Sequence, residues 1–199
     1  MISILLKKEV DMLTIGDKFP KFSLLASSDL PLEQINIDNA FKTIDETTYA
    51  DKWKVVFFYP KDFTFVCPTE IIAFANLFSE FKERNAQVLG CSVDSEFVHW
   101  AWRKHNPGLN KLPFPLLADI KRELSSELGI LCKDSGVAQR AVFIVDPENT
   151  IRFVMVSDSS VGRNPKEVLR ILDALQTGEL CQCGWIKGDK TIDISNADI

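Results

Sequence analysis

The chain has 199 residues, of which 46% are hydrophobic and 26% charged, and its formal net charge is −5. These values are typical of globular domains, so they exclude disorder, collagen and coiled coil as descriptions of the whole chain. Lys and Arg never occur in runs longer than two residues, and apolar residues never in runs longer than five. The sequence therefore predicts no nucleic-acid partner and no membrane partner.

The first twelve residues, MISILLKKEVDM, do not follow the pattern of a signal peptide, because the basic pair comes after the apolar stretch. We expect residues 1–12 to form a flexible extension, with Met12 as an alternative start, and the protein to be cytoplasmic. Thiols are normally reduced in that compartment. We expect residues 13–178 to form one domain and residues 179–199 a C-terminal tail.

The first clear element lies at residues 55–59 (VVFFY), a short apolar run typical of a buried strand. After a loop, apolar residues recur at three- and four-residue spacing over 71–81, which predicts an amphipathic helix. Pro68 suits the first helical position and Glu70 the third position of a capping box. Cys67 is therefore predicted to be the N-cap residue.

Strands and helices continue to alternate along the rest of the chain. Asp146 and Pro147 open a turn between two apolar runs, which predicts a hairpin. Asn164 and Gly178 are the start and stop signals of a last helix. The predicted strands lie at 87–93, 141–145 and 151–156, and the other helices at 95–105 and 119–128. This order predicts an α/β, thioredoxin-like fold with a central mixed sheet flanked by helices.

Cys67 lies where the first predicted helix begins, directly after a central strand. A helix N-terminus carries partial positive charge and unpaired N–H groups, both of which stabilise a thiolate. The position therefore favours a reactive thiol, although the commoner fate of a single cysteine is to fill the core.

Segment 60–67 (PKDFTFVC) matches the P-x-x-x-T-x-x-C signature of peroxiredoxins, and the Pro-Thr-Glu that follows matches as well. From about residue 13 to residue 189 the chain resembles the 2-Cys peroxiredoxins. Within them it is most similar to bacterial alkyl hydroperoxide reductase catalytic subunits that carry a C-terminal Cys-x-Cys. The resemblance implies an antioxidant, thiol-dependent peroxidase that reduces hydrogen peroxide and organic hydroperoxides to water and alcohols without a cofactor or metal.

The resemblance also assigns the first chemical step. It implies that Cys67 attacks the peroxide and becomes a sulfenic acid. It implies that Pro60 covers the thiolate and that Thr64 offers a hydroxyl to the thiolate or to the peroxide. Taken alone, Thr64 is equally well explained as a turn residue.

Three further residues match the family pattern around the cysteine. Arg140 matches an arginine that lies over the cysteine and stabilises charge there, and Glu70 and Arg163 match a pair that orients this arginine. Taken alone, each has an ordinary explanation: Arg140 as a surface charge, Glu70 as a helix cap and Arg163 as a loop residue.

The tail carries Cys181 and Cys183. Cys181 and Trp185 match the family's resolving motif, in which a tail thiol of the other subunit forms a disulfide with the oxidised cysteine. Cys183 permits a relay between two tail thiols. The resemblance implies a homodimer that assembles into a decamer or dodecamer ring, re-reduced by a dithiol protein of the alkylhydroperoxidase D or thioredoxin type. Zinc binding is the alternative, but the Cys-x-Cys spacing disfavours it.

The remaining thiols and the histidines have simpler interpretations. Cys91 is predicted to fill the core and Cys132 to be incidental, while His99 and His105 are expected on a helix surface or satisfied in the core. Two other functions stay open: a thioredoxin-type disulfide oxidoreductase, which needs a cysteine where Glu70 stands, and a non-enzymatic holdase or scaffold.

Overall fold

The computed structural model describes residues 11–196, which form a seven-stranded sheet covered by helices. The strands are β1 (Ser23–Ser27), β2 (Phe41–Asp45), β3 (Trp53–Phe58), β4 (Ala86–Ser92), β5 (Leu116–Ala118), β6 (Arg140–Val145) and β7 (Ile151–Ser157). Their order across the sheet is β2-β1-β5-β4-β3-β6-β7. The pairs β3–β4 and β4–β5 are parallel, and the other neighbours are antiparallel, so the sheet is mixed as predicted.

Within the described residues there are five α-helices, of which four lie between strands and the last follows β7. They are α1 (Cys67–Asn76), α2 (Phe78–Glu83), α3 (Glu96–His105), α4 (Glu123–Glu127) and α5 (Pro165–Thr177). Short 3₁₀ turns occur at Leu32–Gln34, Pro107–Leu109 and Ile194–Asn196. None of the described helices is long and apolar enough to cross a membrane.

Strand β3 is an inner strand of the sheet, between β4 and β6, and contributes to two cores. Val55 and Phe57 pack into one core, which also contains buried residues of α1, α3 and α5. Val56 and Phe58 pack into the other core, which also contains Leu124 of α4. Successive strand residues point to opposite faces, so a strand buried on both faces is apolar throughout.

Most predicted elements are confirmed, with ends shifted by no more than two residues in the strands. Helix α3 begins after Ser95, whose side chain accepts a hydrogen bond from the Val98 N–H. Helix α5 begins after Asn164, whose side chain accepts from the Lys166 N–H, and it ends at Gly178 in a left-handed conformation with φ 68°.

Two predicted helices are shorter than expected. The helix predicted to run to residue 81 breaks at Leu77 (φ −103°, ψ 6°), which separates α1 from α2. The helix predicted over 119–128 is reduced to α4, because the buried Asp119 carboxylate accepts the N–H groups of Leu124 and Ser125 and so stands before the helix. Strands β1, β2 and β5 were not predicted from the sequence.

The extension predicted over residues 1–12 lies outside the described residues except for its last two. Asp11 and Met12 pass beside Gly129, where an added Cβ would lie 2.5 Å from the Met12 Cα. Gly129 has φ 72°, a conformation that favours glycine, so both the backbone angle and the close approach require this residue.

Candidate active site

Cys67 is the first residue of α1 and is fully buried. The predicted N-cap position was wrong by one residue: Val66 is the N-cap, and its carbonyl oxygen accepts the Thr69 N–H and the Glu70 N–H. The backbone of Val66 already has helical angles (φ −80°, ψ −38°), which moves the cysteine into the first turn. Cys67 therefore lies among the free N–H groups of the helix start, where negative charge is stabilised.

Arg140 opens β6 and reaches the cysteine from the neighbouring strand. Its Nη1 lies 3.4 Å from the Cys67 Sγ and donates to the Glu70 Oε2 at 2.7 Å. Its Nε donates to the Ser159 carbonyl oxygen at 2.7 Å. The side chain is 4% exposed, so it is not the surface charge that Arg140 taken alone suggests. A guanidinium stays protonated in proteins, so it offers the sulfur a permanent positive charge.

Glu70 joins Arg140 to a second arginine. Arg163 donates to Glu70 three times, from its backbone N (2.8 Å), its Nε (2.6 Å) and its Nη2 (2.9 Å), and its Nη1 donates to the Ala141 carbonyl oxygen. Burial alone raises the pKa of Glu70, but the hydrogen bonds and charge of Arg163 and the charge of Arg140 outweigh it and lower that pKa. The capping-box interpretation of Glu70 was wrong, because its carboxylate faces two guanidinium groups instead of the helix start.

The charges of this cluster do not cancel without the cysteine. Two arginines and one glutamate, all less than 8% exposed, leave one positive charge in a buried place. An uncompensated buried charge is costly, whereas a thiolate at 3.4 Å would balance it. The arrangement is therefore suited to a negatively charged sulfur and to a transition state that keeps negative charge there.

Thr64 and Pro60 lie on the segment between β3 and α1. The half-buried Thr64 hydroxyl donates to the Lys61 carbonyl oxygen at 2.8 Å, so its proton is engaged locally. Its oxygen retains lone pairs that can accept a further hydrogen bond. Pro60 lines an open groove of about 670 Å³ together with Cys132, Gln139 and Ser159, the residue whose carbonyl holds Arg140.

In this single chain the tail thiols lie beyond the end of α5, and Cys181 contacts that helix instead of Cys67. The Cys181 Sγ is 3.5 Å from the Thr177 Oγ1 and 3.9 Å from the Ala174 carbonyl oxygen. Cys181 is half-buried and Cys183 exposed, and all five cysteines are free thiols. The structure thus brings Cys67, Glu70, Arg140 and Arg163 together and leaves Cys181 and Cys183 apart from them.

The other thiols differ from one another in accessibility. Cys91 lies in the second core, as predicted, and burial raises its pKa well above the ordinary value. Cys132 is half-buried, and hydrogen bonds from the Ser135 side chain and from backbone groups of Ser135 and Asp134 lower its pKa. Among residues 11–196, no three His, Cys, Asp or Glu side chains converge to hold a metal ion.

One contributor to the site was not foreseen. The Ser159 carbonyl oxygen fixes the Nε side of Arg140, and a backbone carbonyl in a loop carries no signal in the sequence. Nor does the sequence indicate the buried contacts of Asp62, which lies within the signature segment and binds His99.

Comparisons with known proteins give a consistent result. A family model described as the AhpC/TSA family matches residues 15–154. Alkyl hydroperoxide reductase C of Mycobacterium tuberculosis is 55% identical over 185 residues, which are 92% of this chain and 94% of that protein. Peroxiredoxin-2 of Bos taurus is 48% identical over 164 residues, which are 78% of this chain and 82% of that protein.

Solved structures agree with the sequence matches. Mycobacterium tuberculosis AhpC superimposes with a TM-score of 0.82 at 54% identity, covering 88% of this chain and 99% of that chain. A reduced 2-Cys peroxiredoxin of Plasmodium vivax superimposes with a TM-score of 0.80 at 35% identity, covering 89% of this chain and 91% of that chain. The predicted fold and the predicted resemblance are both confirmed.

Proposed function

The chain belongs to the AhpC/TSA family and is a peroxiredoxin-type, thiol-dependent peroxidase, and we propose that Cys67 is the nucleophile that reduces the peroxide. The observation that supports this assignment most directly is the Arg140 Nη1 at 3.4 Å from the buried Cys67 Sγ. The start of α1 and the net positive charge of the arginine pair both stabilise negative charge that develops at the Cys67 sulfur and on the leaving oxygen during the reaction.

In the first step the Cys67 thiolate attacks one oxygen of the peroxide O–O bond. A sulfur–oxygen bond forms as the oxygen–oxygen bond breaks, so Cys67 becomes a sulfenic acid and the other oxygen leaves as an alcohol or water after it takes up a proton. Negative charge moves from sulfur to the leaving oxygen. The Arg140 guanidinium stabilises that charge, and the Thr64 hydroxyl and the ring of Pro60 shape the place where the peroxide lies.

In the second step a tail thiol resolves the sulfenic acid. The sulfur of Cys181 or Cys183 attacks the Cys67 sulfur, a disulfide forms, and the sulfenic oxygen leaves as water. The two tail thiols are accessible and are separated by one residue, so they can exchange the disulfide between them. A bond between Cys181 and Cys183 themselves is strained by their spacing and hence labile.

The cycle closes when a dithiol protein reduces the disulfide, by analogy with the alkylhydroperoxidase D or thioredoxin type of reductant. We assign the peroxide substrates as hydrogen peroxide and organic hydroperoxides. The working form is a homodimer within a decamer or dodecamer ring, in which the tail of one subunit supplies the resolving thiol for Cys67 of another.

Five free thiols suit a reducing compartment, so we place the protein in the cytoplasm. Residues 1–12 are the extension, 13–178 the catalytic domain and 179–199 the resolving tail.

The assignment is tested by peroxide consumption in the presence of a dithiol reductant. Cys67→Ser should abolish consumption, while Cys132→Ser, which removes a half-buried thiol on the groove that Pro60 lines, should leave it near the wild-type rate. A Cys67→Ser protein that consumes peroxide at the wild-type rate would exclude Cys67 as the nucleophile and would also decide in favour of a non-peroxidatic role for this site.

A further inference from the structure

Directly before the catalytic helix, three buried side chains form a hydrogen-bonded network that the peroxidase chemistry does not use. The Tyr59 hydroxyl donates to the Asp62 Oδ1 at 2.9 Å, and the His99 Nδ1 lies 2.7 Å from the Asp62 Oδ2. The His99 Nε2 lies 3.1 Å from the Leu117 carbonyl oxygen in β5. Tyr59 and His99 are fully buried and Asp62 is 6% exposed.

The partners of His99 fix where the protons lie. A carbonyl oxygen only accepts hydrogen bonds, so the Nε2 facing Leu117 carries a hydrogen. The opposite nitrogen faces a carboxyl oxygen at 2.7 Å, so one further proton lies between Asp62 and His99. Burial raises the pKa of Asp62, although the hydrogen bond and charge of His99 partly offset it. Burial and the nearby Asp62 raise the pKa of Tyr59 well above its ordinary value, so its hydroxyl remains a donor.

The same network ties the segment to two other elements. The Asp62 backbone N–H donates to the Asp94 Oδ2 at 2.9 Å, and the Ser92 hydroxyl donates to the same oxygen at 2.8 Å. Through Asp62 the segment after β3 is therefore bound to the end of β4, to α3 and to β5.

Phe63, the residue after Asp62, has a strained backbone conformation that this anchoring holds in place. Phe63 has φ 54°, a left-handed conformation that is sterically strained for a residue other than glycine. Its ring centroid lies 5.9 Å from that of Trp102 and 6.1 Å from that of His105, both on α3, the helix that carries His99. Strained residues persist where the surroundings hold them in place. Four residues later the chain reaches Cys67.

We propose that Asp62 and His99 are positioning residues for the reaction at Cys67: the hydrogen bonds that Asp62 makes to His99 and to the Tyr59 hydroxyl hold segment 60–66 in the strained turn that places the thiol beneath Arg140. The proposal rests on the proposed function of Cys67. Neither residue touches the reacting sulfur, and their effect on the reaction passes through the backbone of the segment.

The test is the second-order rate constant for oxidation of Cys67 by hydrogen peroxide, measured by stopped flow on the full, reduced chain. Asp62→Ala should lower it about 10- to 100-fold, because small misplacements of a reacting group cost that much. Asp62→Asn should restore it to within about threefold of wild type, since its amide oxygen can accept the Tyr59 hydroxyl and its NH₂ can donate to a neutral His99.

A matched control is Asp146→Asn. Asp146 is a carboxylate of similar burial, but it lies at the opposite end of β6 from Arg140 and accepts the Thr150 N–H. We expect the wild-type rate constant from it. Tyr59→Phe, which deletes one hydroxyl and keeps the ring, should slow Cys67 oxidation and provides the comparison if Asp62→Ala does not fold.

Three results would overturn the proposal: wild-type oxidation in Asp62→Ala or, where that variant does not fold, in Tyr59→Phe; an Asp62→Asn protein as slow as Asp62→Ala; or an equal loss in Asp146→Asn. Each differs from failure of the proposed function, which is peroxide consumption that survives in Cys67→Ser.

Discussion

Cys67 is fully buried beneath Arg140, whereas Cys183 is exposed and Cys181 half-buried on a tail that leaves α5 after Gly178. The cysteine of the first region is surrounded by buried ion pairs and by the start of a helix. The tail thiols lie on a segment held by an Arg170 hydrogen bond to the Trp185 carbonyl oxygen, by the buried Trp185 side chain, by an ion pair of Lys187 with Asp173 of α5 and by a bridge between Leu180 and Ile192.

The contrast teaches that the two thiol groups meet different chemical demands. A nucleophile gains from fixed charges and excluded water, which require many buried contacts. An exchanging thiol must travel to its partner, so it gains from few contacts and low local stability. We therefore expect substitutions in the Cys67 region to change stability and rate strongly, and substitutions in the tail to change mostly local motion.

The largest expected effect is on stability. Glu70→Gln removes the only carboxylate that the buried Arg140 and Arg163 share among the ion pairs described, and loss of one partner of a buried pair costs about 3–5 kcal/mol. The control is Glu167→Gln, which removes a partly exposed pair with Arg170 and should cost less than about 1 kcal/mol. Urea unfolding measures the free energy of unfolding of both variants. Equal losses would show that the buried ion pairs near Cys67 contribute no more to stability than the partly exposed pair.

The next effect is on rate. Arg140→Gln should lower the rate constant of Cys67 oxidation about 10²- to 10³-fold, the usual loss for a preorganised group that stabilises transition-state charge. Arg152→Gln, which removes a 44% exposed arginine paired with Asp146, should leave it unchanged. Stopped-flow oxidation by hydrogen peroxide measures both, and a loss below threefold in Arg140→Gln would show that the guanidinium does not act on the sulfur.

A smaller effect concerns the stability of the protein at low pH. The arginines lower the pKa of Glu70 below its ordinary value of 4.5, so the stabilisation is complete above that value and is lost as the pH falls through the lower pKa of the folded state. The free energy of unfolding of the wild type should therefore fall below about pH 4.5 more steeply than that of Glu70→Gln. Parallel curves from urea unfolding at several pH values would contradict this linkage.

The smallest effect is expected in the tail. Arg170→Ala removes the hydrogen bond to Trp185 and the partly exposed pair with Glu167, so global stability should change by less than about 1 kcal/mol. Hydrogen exchange of amides between 179 and 192 should nevertheless become faster, while exchange in α1 stays unchanged. An equal rise in α1 would mean that the two regions are not energetically separate.

The sequence predicted the fold best where the signal is local. The run at 55–59 and the helix signals Asn164 and Gly178 each carry their own physical signal, and the structure confirms them. Strand β5 has three residues and was missed because so short a strand has no period to detect. The break at Leu77 was missed because the apolar spacing continues through it.

The candidate site could be predicted only in part, because most of its contacts join residues that lie far apart in the chain. Cys67 carries a local signal, whereas Glu70 taken alone looks like a cap, and only the family resemblance pairs it with Arg140 and Arg163, which lie 70 and 93 residues further along the chain. The network of Asp62 and His99 likewise joins residues 37 positions apart, and no periodicity reports such a contact. Long-range ion pairs are decided by the sheet order, which one sequence does not disclose.

One measurement tests directly whether Cys67 reacts with the peroxide and a tail cysteine then resolves it. Reduced protein is treated with one equivalent of hydrogen peroxide, and its cysteines are mapped by mass spectrometry without reduction. We expect a disulfide that joins Cys67 to Cys181 or Cys183 in the wild type, and a Cys67 sulfenic acid when both tail cysteines are replaced by serine. Oxidation at any other cysteine, with Cys67 still a free thiol, would contradict this expectation.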